Sequence, residues 1–178
     1  MLLLTKPLGT GILYNALKKG LASSNDFHPA IESMVGTNEE IGSLLNKFNV
    51  NAATDVTGYG LIGHLYEMCR ASNVSAEIET NKVPFFNNVE QFAKGDAIPG
   101  GTKRNLEFYS NHIKFEDSIQ NHQKFMLADA QTSGGLLISL SEKDAHSLSS
   151  FCKERSIGSA QIIGKFTSSN NPKITFNL

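Results

Sequence analysis

Apolar and polar positions follow two periods along this chain, and the switches between them outline the elements. Leu2 to Thr5 reads as a short buried strand. Gly9-Thr10-Gly11 then turns into a helix that carries Ile12, Leu13, Ala16 and Leu17 on one face and closes at Gly20. From Leu21 to Gly36 the pattern is weak, with Pro29 at a first helical position. Thr37-Asn38-Glu39-Glu40 has the form of a capping box, and Ile41, Leu44, Leu45 and Phe48 follow at helical spacing, which predicts a helix over 38–48. A third helix carries Leu61, Ile62, Leu65, Met68 and Cys69, with residues 49–57 leading into it. Ala76, Ile78 and Thr80 alternate with Glu77 and Glu79 as in a half-buried strand. The prolines and glycines between Asn81 and Thr102 predict a connection around a short helix near 85–93, mobile over 94–102, and 105–123 is ambiguous. Leu136 to Leu140 suits a strand covered on both faces. Ser141 caps a helix bearing Ala145, Leu148, Phe151 and Cys152, and strands near 160–166 and 173–176 finish the chain.

Strands and helices mix throughout and no period of 20–50 residues recurs, so the expectation is one layered α/β domain over residues 1–178. Sixteen Lys and Arg against 17 Asp and Glu leave a net charge of −1, without the basic footprint of a nucleic-acid binder. No 18-residue apolar run suggests a membrane span. Cys69 and Cys152, with no CxxC spacing, indicate neither a disulfide framework nor a thiolate zinc site, which fits a reducing cytoplasm. An apolar run that begins at residue 2 without a turn or cap suggests a fragment.

The segment richest in chemistry is Thr54-Asp55-Val56-Thr57-Gly58-Tyr59-Gly60-Leu61-Ile62-Gly63-His64. Gly58, Gly60 and Gly63 satisfy G-x-G-x-x-G at a helix start, a form that frees backbone N–H groups for a phosphate. The dinucleotide version also needs an apolar strand before it and an acid about 20 positions on. Here Asn49, Asn51 and Thr54 dilute the strand, and Glu79 falls short. Asp55 at the mouth of this turn is a hard oxygen ligand beside a phosphate-friendly loop, as Mg²⁺–nucleotide chemistry uses. An Asp or Thr before a helix also commonly caps it, so both roles stand on pattern alone.

Residues 53–64 resemble the signature of the selenide, water dikinase (selenophosphate synthetase) family. Leu4-Thr5-Lys6-Pro7-Leu8-Gly9-Thr10-Gly11 is similar to the opening of that family's C-terminal domain. Pro99-Gly100-Gly101-Thr102-Lys103-Arg104-Asn105-Leu106 and Asp129-Ala130-Gln131-Thr132-Ser133-Gly134-Gly135-Leu136-Leu137 agree in order and spacing. Ala130 stands where the family usually has Pro, and Tyr59 where Phe is common. The resemblance implies an α+β, three-layer α/β/α domain with a mixed sheet, the C-terminal domain of the aminoimidazole-ribonucleotide-synthetase type, partly ferredoxin-like. It also implies an ATP-dependent enzyme that makes selenophosphate from selenide and releases AMP and phosphate, and a homodimer for the full-length protein. The family's reactive Cys or selenocysteine and essential Lys belong to an N-terminal domain not seen here, so no catalytic residue is assigned and the isolated chain is expected to be silent.

Carried over residue by residue, the resemblance makes Asp55 a Mg²⁺ ligand of the ATP site. Thr54, Thr57 and Gly58 are then neighbours that orient Asp55 or approach phosphate. The competing readings are another ATP enzyme of the superfamily and a stand-alone binding module. Lys6, and Lys103 with Arg104, could meet an anion but are commonly surface cations. Gly134 and Gly135 admit a tight turn, His64 suits packing or hydrogen bonding, and both cysteines suit the core. His28, His112, His122 and His146 lack the i,i+4 pairing of metal ligands.

Overall fold

The computed structural model describes residues 1–155, 157–169 and 171–178. Among them, strands β1 (Leu2–Leu4), β2 (Val50–Asp55), β3 (Val74–Glu79), β4 (Ile113–Phe115), β5 (Leu136–Leu140), β6 (Gln161–Ser168) and β7 (Ile174–Asn177) form one sheet in the order β2-β5-β1-β6-β3-β7-β4. Pairing is antiparallel from β2 to β3 and parallel from β3 through β7 to β4, a mixed sheet.

The sheet's period of two sorts β1 onto both faces. Leu2 and Leu4 join one core with Leu61, Ile62, Leu65 and Cys69 of α4 (Gly60–Ser72); Leu3 joins the opposite core with Ile41 of α3 (Glu39–Leu44) and Ala145, Leu148 and Cys152 of α8 (Glu142–Arg155). Helices on both faces make three layers, the α+β architecture that the resemblance implied. A third core gathers α1 (Thr10–Lys18), α2 (Ser24–Val35), α5 (Val89–Lys94) and Met126 of α7 (Asn121–Leu127) beside the sheet.

Four expectations need correction. The weak stretch 21–36 holds α2, started by a true capping box between Ser23 and Asp26, and Pro29 lies inside it rather than at its start. The helical bond that Pro29 forgoes leaves a carbonyl on exposed Asn25, where water can reach it. The Thr37–Glu40 capping box does not form, since α3 begins after Asn38 with no side-chain cap. Residues 50–55, read only as a lead-in, are edge strand β2. The region 94–109, read as loop and ambiguous chain, contains α6 (Gly100–Tyr109).

No described helix is long and apolar enough to cross a membrane.

Candidate functional site

The four sequence blocks, far apart in the chain, meet at one end of the sheet. β2 delivers Asp55 there by pairing antiparallel with β5, so that Asp55 sits opposite Leu136. The following turn is fixed by backbone bonds, from the Val56 N–H to the Gly135 carbonyl (2.8 Å) and from the Gln131 N–H to the Thr57 carbonyl (3.0 Å). Gly134 lies so close that a Cβ there would fall 2.0 Å from the Val56 oxygen. Gly60 opens α4 at φ +67°, with the Ala128 carbonyl 2.7 Å from where its Cβ would be. These glycines therefore serve close approach of chain to chain. Asn105 of α6 finishes the clamp by donating to the Gly58 carbonyl (2.9 Å) and the Ala128 carbonyl (3.2 Å).

On this rim Asp55 and Gly58 are exposed, and Thr54 and Thr57 are half-buried. Thr54 Oγ1 makes only a 3.3 Å contact to the Asp55 carbonyl, whereas Thr57 Oγ1 lies 3.2 Å from His64 Nε2. Asp55 does not cap α4, which starts after Tyr59 with no side-chain cap bond, so the capping alternative fails for both Asp55 and Thr57. Beside the turn runs an open groove of about 610 Å³ lined by Tyr59, Arg104, Asn105 and Phe108, with both aromatic rings well exposed.

Asp129 is the acidic residue that sequence reasoning missed. It is fully buried, and its Oδ2 accepts from the N–H groups of Gly11 (3.0 Å) and Ile12 (3.1 Å), where α1 leaves donors unpaired. Oδ1 accepts from the Thr102 hydroxyl (2.8 Å), and Gln131 Nε2 adds a contact at 3.2 Å. Burial pushes this carboxyl up to about 7, against the opposing pull of the bonds from Thr102, Ile12, Gln131 and Gly11. Gln131 Oε1 in turn accepts from the N–H groups of Gly9 and Thr10 and from the Thr10 hydroxyl. The blocks at 4–11, 99–106 and 129–137 are thus tied together by one buried polar network. An Asp following Met126-Leu127-Ala128 and standing two before Gln131 was the available signal; its partners at Gly11 and Ile12 were not visible from it.

The remaining candidates are structural. Half-buried Lys6 is committed to the chain, its Nζ donating to the carbonyls of Ser33, Gly36 and Ser133 at 2.6–3.0 Å. Lys103 pairs with Asp96 at 3.4 Å. Burial pushes the Cys69 thiol up to about 12 and raises that of Cys152, which suits core packing rather than nucleophilic use. Among the described residues no three His, Cys, Asp or Glu side chains cluster as a metal cage. A lone exposed carboxylate still fits Mg²⁺, which takes one or two protein carboxylates and completes its shell with phosphate and water. It does not fit a closed all-protein site.

Residues 1–177 match the family described as AIR synthase related protein, C-terminal domain. The chain is 37% identical over 177 residues to a selenide, water dikinase of Aliarcobacter butzleri, covering 99% of this chain and 51% of that protein. It is 46% identical over 140 residues to the one of Haemophilus ducreyi, covering 78% of this chain and 39% of that protein. The chain spans about half the length of the curated relatives that it matches along most of its own. Among solved structures it resembles a thiamine-monophosphate kinase from Stenotrophomonas maltophilia (TM-score 0.65, 13% identity, 97% of this chain and 49% of that one). It also resembles the hydrogenase maturation protein HypE of E. coli (TM-score 0.58, 18% identity, 98% of this chain and 45% of that one). These two likenesses are likenesses of fold.

Proposed function

The chain belongs to the AIR synthase-related C-terminal-domain family, and from that premise we propose that it works as the C-terminal domain of a selenide, water dikinase. The observation that carries this reading is the identity of 36–46% shared with eight proteins, all of them named selenide, water dikinases. In this reading residues 1–178 are one domain of a cytoplasmic enzyme that is a homodimer at full length. The enzyme converts selenide and ATP into selenophosphate, AMP and phosphate.

Asp55 offers its carboxylate from a rigid rim to a Mg²⁺–ATP site whose other half lies on another domain. A Mg²⁺ ion held there would supply positive charge to offset that on the phosphate oxygens during phosphoryl transfer. The residues of this chain position that oxygen. Strand pairing with Leu136 sets the height of Asp55, and the Gly134 contact on Val56 removes slack from the turn. Asn105 pins the Gly58 carbonyl. Thr54, Thr57 and Gly58 complete the rim toward the cation and its phosphates. The groove flanked by Tyr59 and Phe108 gives the adjoining parts of the substrate or the partner domain an apolar wall.

The test joins this chain to the N-terminal half of the Aliarcobacter butzleri relative and follows selenide-dependent selenophosphate formation by ³¹P NMR. The joined protein is expected to form selenophosphate and AMP with Mg²⁺, and the chain alone to form neither. Selenophosphate formation by the chain alone, or a joined protein that folds but remains inert, contradicts the reading.

A further inference from the structure

Behind Thr57 stands a side-chain series that the family resemblance leaves without a role. His64, one turn into α4, is 8% exposed. Its Nε2 lies 3.2 Å from Thr57 Oγ1, and its Nδ1 lies 3.2 Å from Glu67 Oε2, three residues further along the same helix face. The Tyr59 ring tilts over the imidazole with centroids 5.8 Å apart. Gly63 holds the helix close to Tyr109, whose hydroxyl lies 3.1 Å from where a Cβ would be. Nδ1 is nonetheless a buried nitrogen with no well-directed hydrogen bond, because Glu67 sits within ion-pair distance but off the hydrogen-bond geometry. Glu67 is half exposed and can swing into line, which meets the need of a buried N–H for an acceptor.

The proton follows from these partners. A carboxylate only accepts, so with Glu67 swung into line a neutral ring would carry its hydrogen on Nδ1 and leave Nε2 bare. A bare Nε2 accepts, so the Thr57 hydroxyl must donate to it. The hydroxyl proton is then committed inward, and Thr57 Oγ1 can act toward the rim only as an acceptor.

We propose that Glu67 and His64 are positioning residues that hold Thr57 Oγ1 as an oxygen ligand on the cation side of the Asp55 rim, rather than as a hydrogen-bond donor to phosphate. This deepens the Mg²⁺ reading of Asp55 and rests on it. The arrangement has the carboxylate–imidazole–hydroxyl order of nucleophilic triads, yet here it aims an oxygen lone pair at a cation and involves no covalent step. It assigns Thr57 to the cation, where sequence left the residue between two roles.

The experiment uses the joined protein, in which the N-terminal half completes the site, uniformly labelled with ¹⁵N and kept in mildly alkaline buffer, with Mn²⁺ as the paramagnetic probe. The expected ring spectrum is the Nδ1–H tautomer for His64, moving toward the Nε2–H form usual in free imidazole in Glu67→Ala. Mn²⁺ is expected to broaden the amides of Asp55 to Gly58. Its apparent affinity should fall about three- to tenfold in His64→Leu and in Thr57→Val, the scale of one hydrogen-bonded contact. In the double variant the loss should be no larger than in either alone, and His64→Gln, whose side-chain oxygen can accept from Thr57, should recover most of it. An Nε2–H tautomer in the unsubstituted chain, or equal Mn²⁺ affinity in Thr57→Val, overturns the proposal. If the tautomer is Nδ1–H but Mn²⁺ leaves Asp55 unbroadened, the cation reading of the rim fails and the role given to Thr57 fails with it.

Discussion

Two aspartates from the sequence blocks sit in opposite surroundings. Asp129 is sealed inside the protein and surrounded by donors from α1, α6 and its own loop; Asp55 stands exposed at the end of an edge strand and caps nothing. A buried carboxylate that meets four donors holds the chain together, because leaving those donors unpaired is costly. An exposed carboxylate on a braced turn stabilises little and remains free for a ligand. Membership in a recognisable block therefore does not by itself distinguish framework from chemistry, whereas burial and partners do.

The contrast breaks most visibly at Asp129. Asp129→Ala abandons the start of α1 and the Thr102 hydroxyl together, and is expected to cost about 3–5 kcal/mol in urea unfolding. Asp129→Asn keeps one accepting oxygen for Gly11 and Ile12 and should cost clearly less. Gly134→Ala comes next. Its methyl group would meet the Val56 carbonyl, a backbone atom that cannot swing aside, so a loss of about 2–3 kcal/mol is expected, together with a displaced Asp55 turn.

A smaller effect concerns pH. The folded Asp129 carboxyl titrates near 7 and its unfolded counterpart near 3.8, so between those values the folded state binds the extra proton. Stability from this group is therefore greatest below about 4 and declines as pH rises toward 7. Unfolding midpoints measured from pH 5 to 8 should fall more steeply for the unsubstituted chain than for Asp129→Asn. An equal slope in both would show that the carboxyl is already ionised at pH 5, held charged by its donors. Lys6→Met, which gives up three carbonyl contacts, is expected to cost about 1–2 kcal/mol, with loosening at the end of α2 visible in hydrogen exchange.

The same contrast explains what could be read from the chain. β5 and α8 were legible because Leu136–Leu140 is a compact apolar run and Ser141 does cap the following helix through the Asp144 N–H. β2 was not, since an edge strand buries neither face fully, and Asn51, Ala52 and Ala53 carry no strong alternation. α6 hid behind Gly100 and Gly101 and buries only Thr102 and Tyr109, too few for an apolar stripe. α2 was masked by Pro29 and by a capping box that uses Asp26 where Glu is the usual sign. Asp55, Thr57 and Gly58 could be grouped as candidates because they are close in the chain, and the structure places them on one turn. Asp129 was not legible, because its role depends on backbone donors 117 and 118 positions away.

The most direct test of the division between the two aspartates is Asp55→Asn in the joined protein, with selenophosphate formation and the unfolding midpoint measured on the same sample. The midpoint should stay within about 0.5 kcal/mol of the parent, as for a surface substitution. Selenophosphate formation should fall by about 100-fold or more, the equivalent of about 3 kcal/mol of lost transition-state stabilisation. Activity retained within a few-fold, or a loss that merely tracks a collapsed midpoint, would contradict it.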